Sequence, residues 1–354
     1  MNSETSQTSY AVAIVYVPSS NKELLTVGLF PTDSDSHKLK VLGRLPLPNR
    51  GGAITAHPTK PLIYLTIHEE DQERIDTLVI DPGSRLPKQL ASIPHSKGTC
   101  YLSAGHSGRF LFSVSYGVGN IDIYSLTHEG IPQERTSSHT ENKNQAHSIA
   151  LTRDEKFVYV PFVKDSNDLR QYRLDTTEGK LAPLDPPNVQ PGESIGPRHP
   201  ALHPKQPWLY FNNEQQVGVS AYRIEENGTL ELMGIFDAID QKNDGTLSAS
   251  DIAITPDGSH LFSMVRHGGE GDLDQVVCYS IQDDGTLKHK AAVLCDKIPW
   301  SMGLSPDGSF LFLVASKTGN LLAYRILDGD NVFTLLDKLV VGQHSNTLLV
   351  TGAD

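Results

Sequence analysis

The sequence predicts an all-β fold, a seven-bladed β-propeller with four antiparallel strands in each blade. A segment of alternating apolar residues, a turn of the Pro-Asp-Gly type and a second apolar run recurs six times, every 47 to 52 residues. Short strand-like runs dominate the chain, and no long segment shows helical apolar periodicity. A period near 50 built from short strands is typical of propellers, with one blade in each repeat. The six copies begin at Ala53, Tyr101, Ser148, His199, Asp251 and Ser301.

A seventh blade is predicted from the two ends of the chain. Residues 11–17, 23–30 and 39–47 supply three strands but lack an inner strand, whereas residues 346–352 form an orphan apolar strand. Pairing these segments closes the ring and leaves no open sheet edge. Because blades bury their faces only against neighbouring blades, we expect a single domain over residues 1–354, with a flexible N-terminus at residues 1–9.

Composition limits the classes of partner. The formal net charge of −12 argues against nucleic acid or an anionic membrane, although a few cations can still converge on a small anionic ligand. The N-terminus has no secretory pattern, no stretch reaches membrane-spanning length, and the three cysteines fit no metal-ligand spacing. We therefore expect a reduced cytoplasmic protein, a monomer or weak homo-oligomer, that needs no cofactor.

The propeller geometry predicts which residues meet at one end of the channel. The innermost two strands of a blade are antiparallel, so the start of the first and the end of the second lie at the same end. The residues predicted just before the innermost strand are Gly52, Cys100, His147, Arg198, Ser250 and Trp300. The residues predicted at the exit of the second strand are His68, Tyr116, Lys164, Glu214, Arg266 and Lys317.

These two sets predict an acid–base site that binds an anionic ligand. A buried Glu214 requires cations, and Arg198 and Arg266 are the obvious ones. A structural ion pair would explain Glu214 and one arginine, but not a second arginine together with His147. The predicted catalytic residues are therefore His147, Glu214, Arg198 and Arg266. The predicted substrate-binding residues are Lys164, His68, Tyr116, Lys317 and His199.

Simpler interpretations stay open for the outer positions. Lys164 and Lys317 also fit solvated loop residues, and His68 and Tyr116 also fit structural positions in the channel wall. No metal site is expected, because His203 lies in a turn at the opposite end from His147 and no His and carboxylate set has zinc-like spacing.

Several segments carry a resemblance to a known family. They are residues 146–149 (AHSI), 196–200 (GPRHP), 213–214 (NE) and 251–258 (DIAITPDG), the last followed by Arg266. Over nearly its whole length, the chain resembles the propeller-type lactonases, which include bacterial 6-phosphogluconolactonases and carboxy-cis,cis-muconate lactonizing enzymes. The resemblance implies an active-site set of one His, one Arg, one Glu and a further Arg, which fall on the four predicted catalytic residues. The chain departs from the phosphogluconolactonase branch at His68, where that branch is expected to carry an arginine, and at residues 343–346 (QHSN).

Three functions are consistent with these residues. The first is hydrolysis of a sugar lactone, such as 6-phosphogluconolactone, in which one of Glu214 and His147 is the base and the other protonates the departing ring oxygen. His147 is favoured as the base, with Glu214 orienting it or sharing protons, because a carboxylate held between two arginines is a weak base. Arg198 and Arg266 would hold the anionic group of the substrate or the oxyanion that develops. The second is a lyase or cycloisomerase that uses the same groups for proton transfer. The third is a propeller that binds a partner without catalysis, against which the repeated Gly-His and Trp-Asp signatures of that class are absent.

Overall fold

The fold is a ring of seven four-stranded antiparallel sheets, as the sequence predicts. The structure is a computed structural model that describes residues 10–32, 36–70, 72–239, 245–269, 272–329 and 332–353. The predicted flexible segment at residues 1–9 lies outside the described residues. Within the described ranges, no helix is long and apolar enough to cross a membrane.

The strands of each blade follow one another outward from the channel. Blade 1 contains β28 (Leu349–Gly352), β1 (Ala13–Ser19), β2 (Glu23–Pro31) and β3 (His37–Pro46). Blade 2 contains β4 (Gly51–Ala56), β5 (Leu62–Ile67), β6 (Glu73–Ile80) and β7 (Pro87–His95). Blade 3 contains β8 (Thr99–Ala104), β9 (Phe110–Ser115), β10 (Asn120–Leu126) and β11 (Pro132–Thr140). Blade 4 contains β12 (Ala150–Leu151), β13 (Phe157–Phe162), β14 (Asp168–Asp175) and β15 (Lys180–Val189).

The other three blades repeat this order. Blade 5 contains β16 (Pro197–Leu202), β17 (Trp208–Asn213), β18 (Gly218–Ile224) and β19 (Leu230–Asp237). Blade 6 contains β20 (Leu247–Ile254), β21 (His260–His267), β22 (Gln275–Ile281) and β23 (Leu287–Leu294). Blade 7 contains β24 (Pro299–Leu304), β25 (Phe310–Ala315), β26 (Asn320–Ile326) and β27 (Phe333–Val340).

The two ends of the chain close the ring in blade 1. The C-terminal strand β28 pairs antiparallel with β1, from Ala13 opposite Gly352 to Tyr16 opposite Leu349. This pairing confirms the predicted closure, although the strand begins at Leu349 and not at residue 346. The inner edge of blade 1 is thus covered by the other end of the same chain.

The core lies between the blades. The second strands are apolar on both faces, and β5, β9, β13 and β25 are buried throughout. Both faces of a blade pack on neighbouring blades, so these strands carry continuous apolar runs and not an alternating pattern. One cluster joins Val15 and Val27 of blade 1 to Phe312 and Val314 of blade 7. The closure therefore buries an apolar interface as well as a strand pair.

Buried tyrosines on the second strands of blades 1, 2, 4 and 5 tie each of these blades to the next one. The hydroxyls of Tyr159 and Tyr210 donate to the carbonyl oxygens of Gly228 and Gly285, at 2.7 and 2.9 Å. Both glycines lie in the turn before the outermost strand of the following blade, with φ near +90° (91° and 85°). A buried hydroxyl needs a partner, and these carbonyls supply it. The bond fixes the spacing of the two neighbouring blades at each of these interfaces.

Candidate active site

The innermost strands are irregular near one end of the channel. In five blades the pairing with the second strand shifts register close to the start of the innermost strand. In blade 4 the ladder is interrupted between Ala146, which bridges Phe162, and Ala150. A bulge turns a side chain away from its regular direction and is common beside active sites. The sequence analysis placed six residues just before the innermost strands. This prediction is wrong for Gly52, Cys100, Arg198, Ser250 and Trp300, which lie within those strands, and only His147 lies outside one.

A cavity of about 430 Å³ occupies the channel at these irregular positions. This volume falls within the range of small-molecule sites. The polar and aromatic residues of its wall include His68, Tyr101, His147, Arg198, His199 and Asp251. Arg50 and Trp300 also line it. Two of the predicted catalytic residues, His147 and Arg198, thus face the cavity directly.

Arg198, Glu214 and Arg266 form a buried ionic cluster. The Arg198 Nε donates to Oε2 of Glu214 at 3.0 Å, and Nη2 of Arg266 lies 3.5 Å from Oε1 of the same carboxylate. The Arg266 guanidinium packs 4.3 Å from the ring centroid of Trp300. Burial and the neighbouring Arg198 lower the pKa of Arg266 to about 10, and Glu214 opposes this shift. Glu214 and Arg266 therefore contact the wall residues Arg198 and Trp300 without being part of the wall.

His147 lies beside this cluster. Its Nε2 is 4.0 Å from Oε2 of Glu214, and its ring meets those of Tyr116 and His199 edge-on, with centroids 5.7 and 5.1 Å apart. Burial, followed by the charge of Arg198, lowers the pKa of His147 well below 6.5. The Nδ1 atom is buried with no hydrogen-bond partner among the described residues. A neutral imidazole near pH 7 is available as a base.

His199 pairs with a carboxylate that the sequence analysis missed. Its Nδ1 lies 2.8 Å from Oδ1 of Asp251, and its Nε2 lies 3.2 Å from Nη1 of Arg198. Asp251 follows Ser250, one of the residues predicted to lie at this end of the channel. It occupies the repeat position that His199 occupies in the preceding blade. A charged residue at that position, where the other copies carry Ala, Tyr or Ser, is the signal that could have identified it.

The remaining predicted residues separate into wall, neighbour and surface positions. His68 is on the wall, with Nδ1 2.8 Å from Oε1 of Glu73. Lys164 is exposed, and its Nζ lies 6.0 Å from the centre of the Tyr116 ring. Lys317 is exposed and does not line the described cavity. The structure thus brings Tyr116 next to His147, and it leaves Lys317 apart from the cluster.

One further cation was missed at the mouth. Arg50 immediately precedes β4, and its Nη2 donates to the carbonyl oxygen of His344 at 3.2 Å. Its backbone carbonyl accepts from the amide of His68 at 3.0 Å, so the two residues are neighbours. In the described ranges, no group of three or more His, Cys, Asp or Glu side chains is arranged to hold a metal ion.

A channel cavity that gathers buried histidines, arginines and paired carboxylates defines a propeller with an enzyme-type site. Similarity to known proteins identifies its family. Residues 14–349 match the family described as Lactonase, 7-bladed beta-propeller, and the chain belongs to that family. It is 26% identical over 331 residues to a protein named 6-phosphogluconolactonase from Klebsiella pneumoniae subsp. pneumoniae, covering 93% of this chain and 96% of that protein.

Solved structures show the same fold. The periplasmic gluconolactonase PpgL of Pseudomonas aeruginosa superposes with a TM-score of 0.82 at 18% identity, covering 97% of this chain and 99% of the other. A protein from Lactobacillus plantarum also gives a TM-score of 0.82, at 17% identity, with 96% and 99% covered. At these identities the likeness concerns the fold alone.

Proposed function

We propose that this protein hydrolyses a sugar lactone and that 6-phosphogluconolactone is its best candidate substrate. The observation that carries the proposal is the cluster of His147, Arg198, Glu214 and Arg266 beside the channel cavity. Family membership and the relative named 6-phosphogluconolactonase support the same reaction. A base for water and a cation near the oxyanion both promote lactone opening, and this cluster contains both.

His147 is the proposed base. It accepts a proton from water as the water oxygen attacks the lactone carbonyl carbon. The bond between that carbon and the ring oxygen then breaks, and the imidazolium returns the proton to the departing ring oxygen. The product is a hydroxy acid, which loses a proton to solvent. One histidine suffices for both transfers, because its neutral form is restored at the end.

The arginines and Glu214 have complementary roles in this scheme. Arg198, which lines the cavity, stabilises the oxyanion that forms on the carbonyl oxygen. Glu214 lies close enough to stabilise the transient imidazolium of His147, and Arg266 holds Glu214 in turn. The 4.0 Å separation between His147 and Glu214 exceeds a hydrogen bond, but such contacts commonly shorten when the reacting complex forms.

Arg50 is the proposed site for the phosphate of the substrate. It lines the cavity at its mouth beside His68, the position where the phosphogluconolactonase branch is expected to carry an arginine. His68 is engaged by Glu73, so Arg50 is the stronger candidate for an anionic group. Loss of Arg50 should therefore affect phosphorylated lactones more than neutral ones.

The test is a substrate comparison with purified protein. The rates of ring opening of 6-phosphogluconolactone and of unphosphorylated gluconolactone are measured and corrected for spontaneous hydrolysis. The mass of each product is determined by mass spectrometry. We expect accelerated opening with the gain of one water. Arg50→Gln should raise KM for the phosphorylated lactone at least about tenfold, the loss of one charge-assisted contact, and leave KM for gluconolactone unchanged. A product of unchanged mass would indicate a cycloisomerase, and no acceleration of either lactone would refute the proposal.

A further inference from the structure

We infer that Asp251 and His199 form a positioning pair that holds the Arg198 guanidinium with its Nη2 edge turned to the substrate. This inference rests on the proposed function, and it gives a positioning role to Asp251 and to His199, which the sequence placed among the substrate-binding residues. It is carried by hydrogen-bond geometry in three neighbouring blades, since His199, Asp251 and Ser301 lie in β16, β20 and β24.

Both carboxylate oxygens of Asp251 accept hydrogen bonds, two on each oxygen. Its Oδ1 accepts from Nδ1 of His199 at 2.8 Å and from the Ile252 amide at 3.0 Å. Its Oδ2 accepts from Oγ of Ser301 at 3.0 Å and from the Met302 amide at 2.9 Å. Burial alone would raise the pKa of Asp251, but His199 and these donors lower it overall. An ionised carboxylate only accepts, so Nδ1 of His199 carries a hydrogen.

His199 consequently presents a lone pair at Nε2. Burial, followed by the charge of Arg198, lowers the pKa of His199, so the ring is neutral near pH 7 and holds one hydrogen, on Nδ1. The ring itself is fixed, because it packs edge-on against Tyr101 and the His199 amide donates to Oδ1 of Asn212 at 2.8 Å. Nε2 is therefore a rigid acceptor, 3.2 Å from Nη1 of Arg198.

The hydrogens of Arg198 can then be assigned in turn. Nε donates to Glu214, and the two hydrogens of Nη1 go to the Ser250 carbonyl oxygen and to Nε2 of His199. Within the described part of the chain, no hydrogen bond engages Nη2. A guanidinium has five donors in a rigid plane, so fixing three of them orients the other two. These two are the donors left for a carbonyl oxygen or oxyanion in the cavity.

A purely structural contact between blades 5 and 6 would use many of the same hydrogen bonds. It would need only the bond between His199 and Asp251, whereas the positioning role also needs the contact between Nε2 of His199 and Arg198. Asp251→Asn separates the two cases. The Asn amide can donate to Nδ1 of His199, which moves the ring hydrogen to Nε2 and points it at Arg198. Arg198 then loses an acceptor and shifts, while the side chain at position 251 keeps its shape.

The experiment is a double-mutant cycle on kcat and KM for lactone opening. Asp251→Asn should lower kcat about 10- to 100-fold, the usual cost of losing an orienting partner, with KM changed less than about threefold. In an Arg198→Ala background the same substitution should cost less than about threefold, because its effect passes through Arg198. Equal losses in both backgrounds would overturn the inference. His199→Gln, which keeps an acceptor for Arg198, should retain more activity than His199→Phe; equal losses would also count against it.

His203→Gln is the matched control. His203 also lies in blade 5, and its Nε2 contacts the Gly258 carbonyl oxygen of blade 6 at 3.1 Å, beyond the far end of the innermost strand. Its substitution should lower the thermal midpoint and leave kcat unchanged. A readout independent of activity is the ¹⁵N NMR signal of His199 in the wild-type protein. A hydrogen on Nδ1 supports the pair even if no tested lactone is opened, whereas a hydrogen on Nε2 overturns it.

Discussion

Replacing Glu214 by Gln tests whether the ionic cluster depends on a charged carboxylate. Gln has nearly the same shape and keeps an oxygen that can accept from Arg198, but it removes the negative charge. The Arg198 side chain is 2% exposed and that of Arg266 is 13% exposed, so two cations would be left in a buried site. Burial and Arg198 already lower the pKa of Arg266 to about 10. Without Glu214, that pKa should fall further.

The expected loss of stability follows from this geometry. Removing one partner of a buried ion pair costs about 3–5 kcal/mol, because the remaining charge is uncompensated. For a chain of 354 residues, an unfolding entropy of roughly 2.1 cal/mol/K per residue sums to about 0.7 kcal/mol/K. The thermal midpoint should therefore fall by about 4 to 7 °C. The same substitution should lower kcat, since His147 loses the carboxylate that is proposed to stabilise its protonated form.

The assay is urea and thermal unfolding of wild-type and variant protein under identical conditions. Glu231→Gln is the matched control, because its Oε2 lies 3.2 Å from Nη2 of Arg223 but both side chains are more than half exposed. That exposed pair should contribute less than about 1 kcal/mol. A Glu214→Gln protein as stable as the Glu231→Gln protein would refute the argument that the cluster is held together by a buried charge.

The other predictions concern pH and the contacts between blades. Because burial and Arg198 lower the pKa of His147 well below 6.5, the neutral base persists to acidic pH, so kcat/KM should stay level from pH 8 to 6.5 and fall only below; an acid limb at pH 7 or higher would contradict this. Burial lowers the pKa of His95 to about 4, against the opposing effect of Asp122. As pH falls below 6.5, His95 therefore takes up a proton in the unfolded chain before it does so in the folded one. The free energy of unfolding should decrease by about 3 kcal/mol between pH 6.5 and pH 4, and this decrease should be smaller in His95→Gln. Tyr210→Phe leaves the Gly285 carbonyl unpaired and should cost about 1–3 kcal/mol in urea unfolding; an unchanged midpoint would show that this bond does not hold the blades together.

The sequence predicted the fold well because the residues that repeat are those that every blade of a propeller must bury. The apolar run of each second strand recurs with little variation after a short turn, and the orphan strand near residue 350 had one possible partner. The antiparallel relation of the innermost two strands then brought His147, Arg198, Glu214 and Arg266 to one end of the channel.

What the sequence did not predict depends on local irregularity. The register shifts near the start of the innermost strands turn side chains in a way that a regular strand pattern cannot anticipate, and Asp251 lies at such a shift. Lys317 follows a second strand as Glu214 does, but Lys317 is exposed whereas Glu214 is buried, and nothing in the sequence distinguishes the two exits. The cytoplasmic location and the monomer or weak homo-oligomer state stay predictions.

The most direct test of the account is kcat/KM for 6-phosphogluconolactone, measured for wild-type protein beside His147→Ala. Both proteins should show the same thermal midpoint within a few degrees, so that a loss of rate reports chemistry. The account predicts clear acceleration over spontaneous opening by the wild type and a loss of about 10²- to 10⁴-fold in the variant, the usual contribution of a general base. A His147→Ala protein that keeps the wild-type rate would contradict the central claim that this histidine activates water at the channel site.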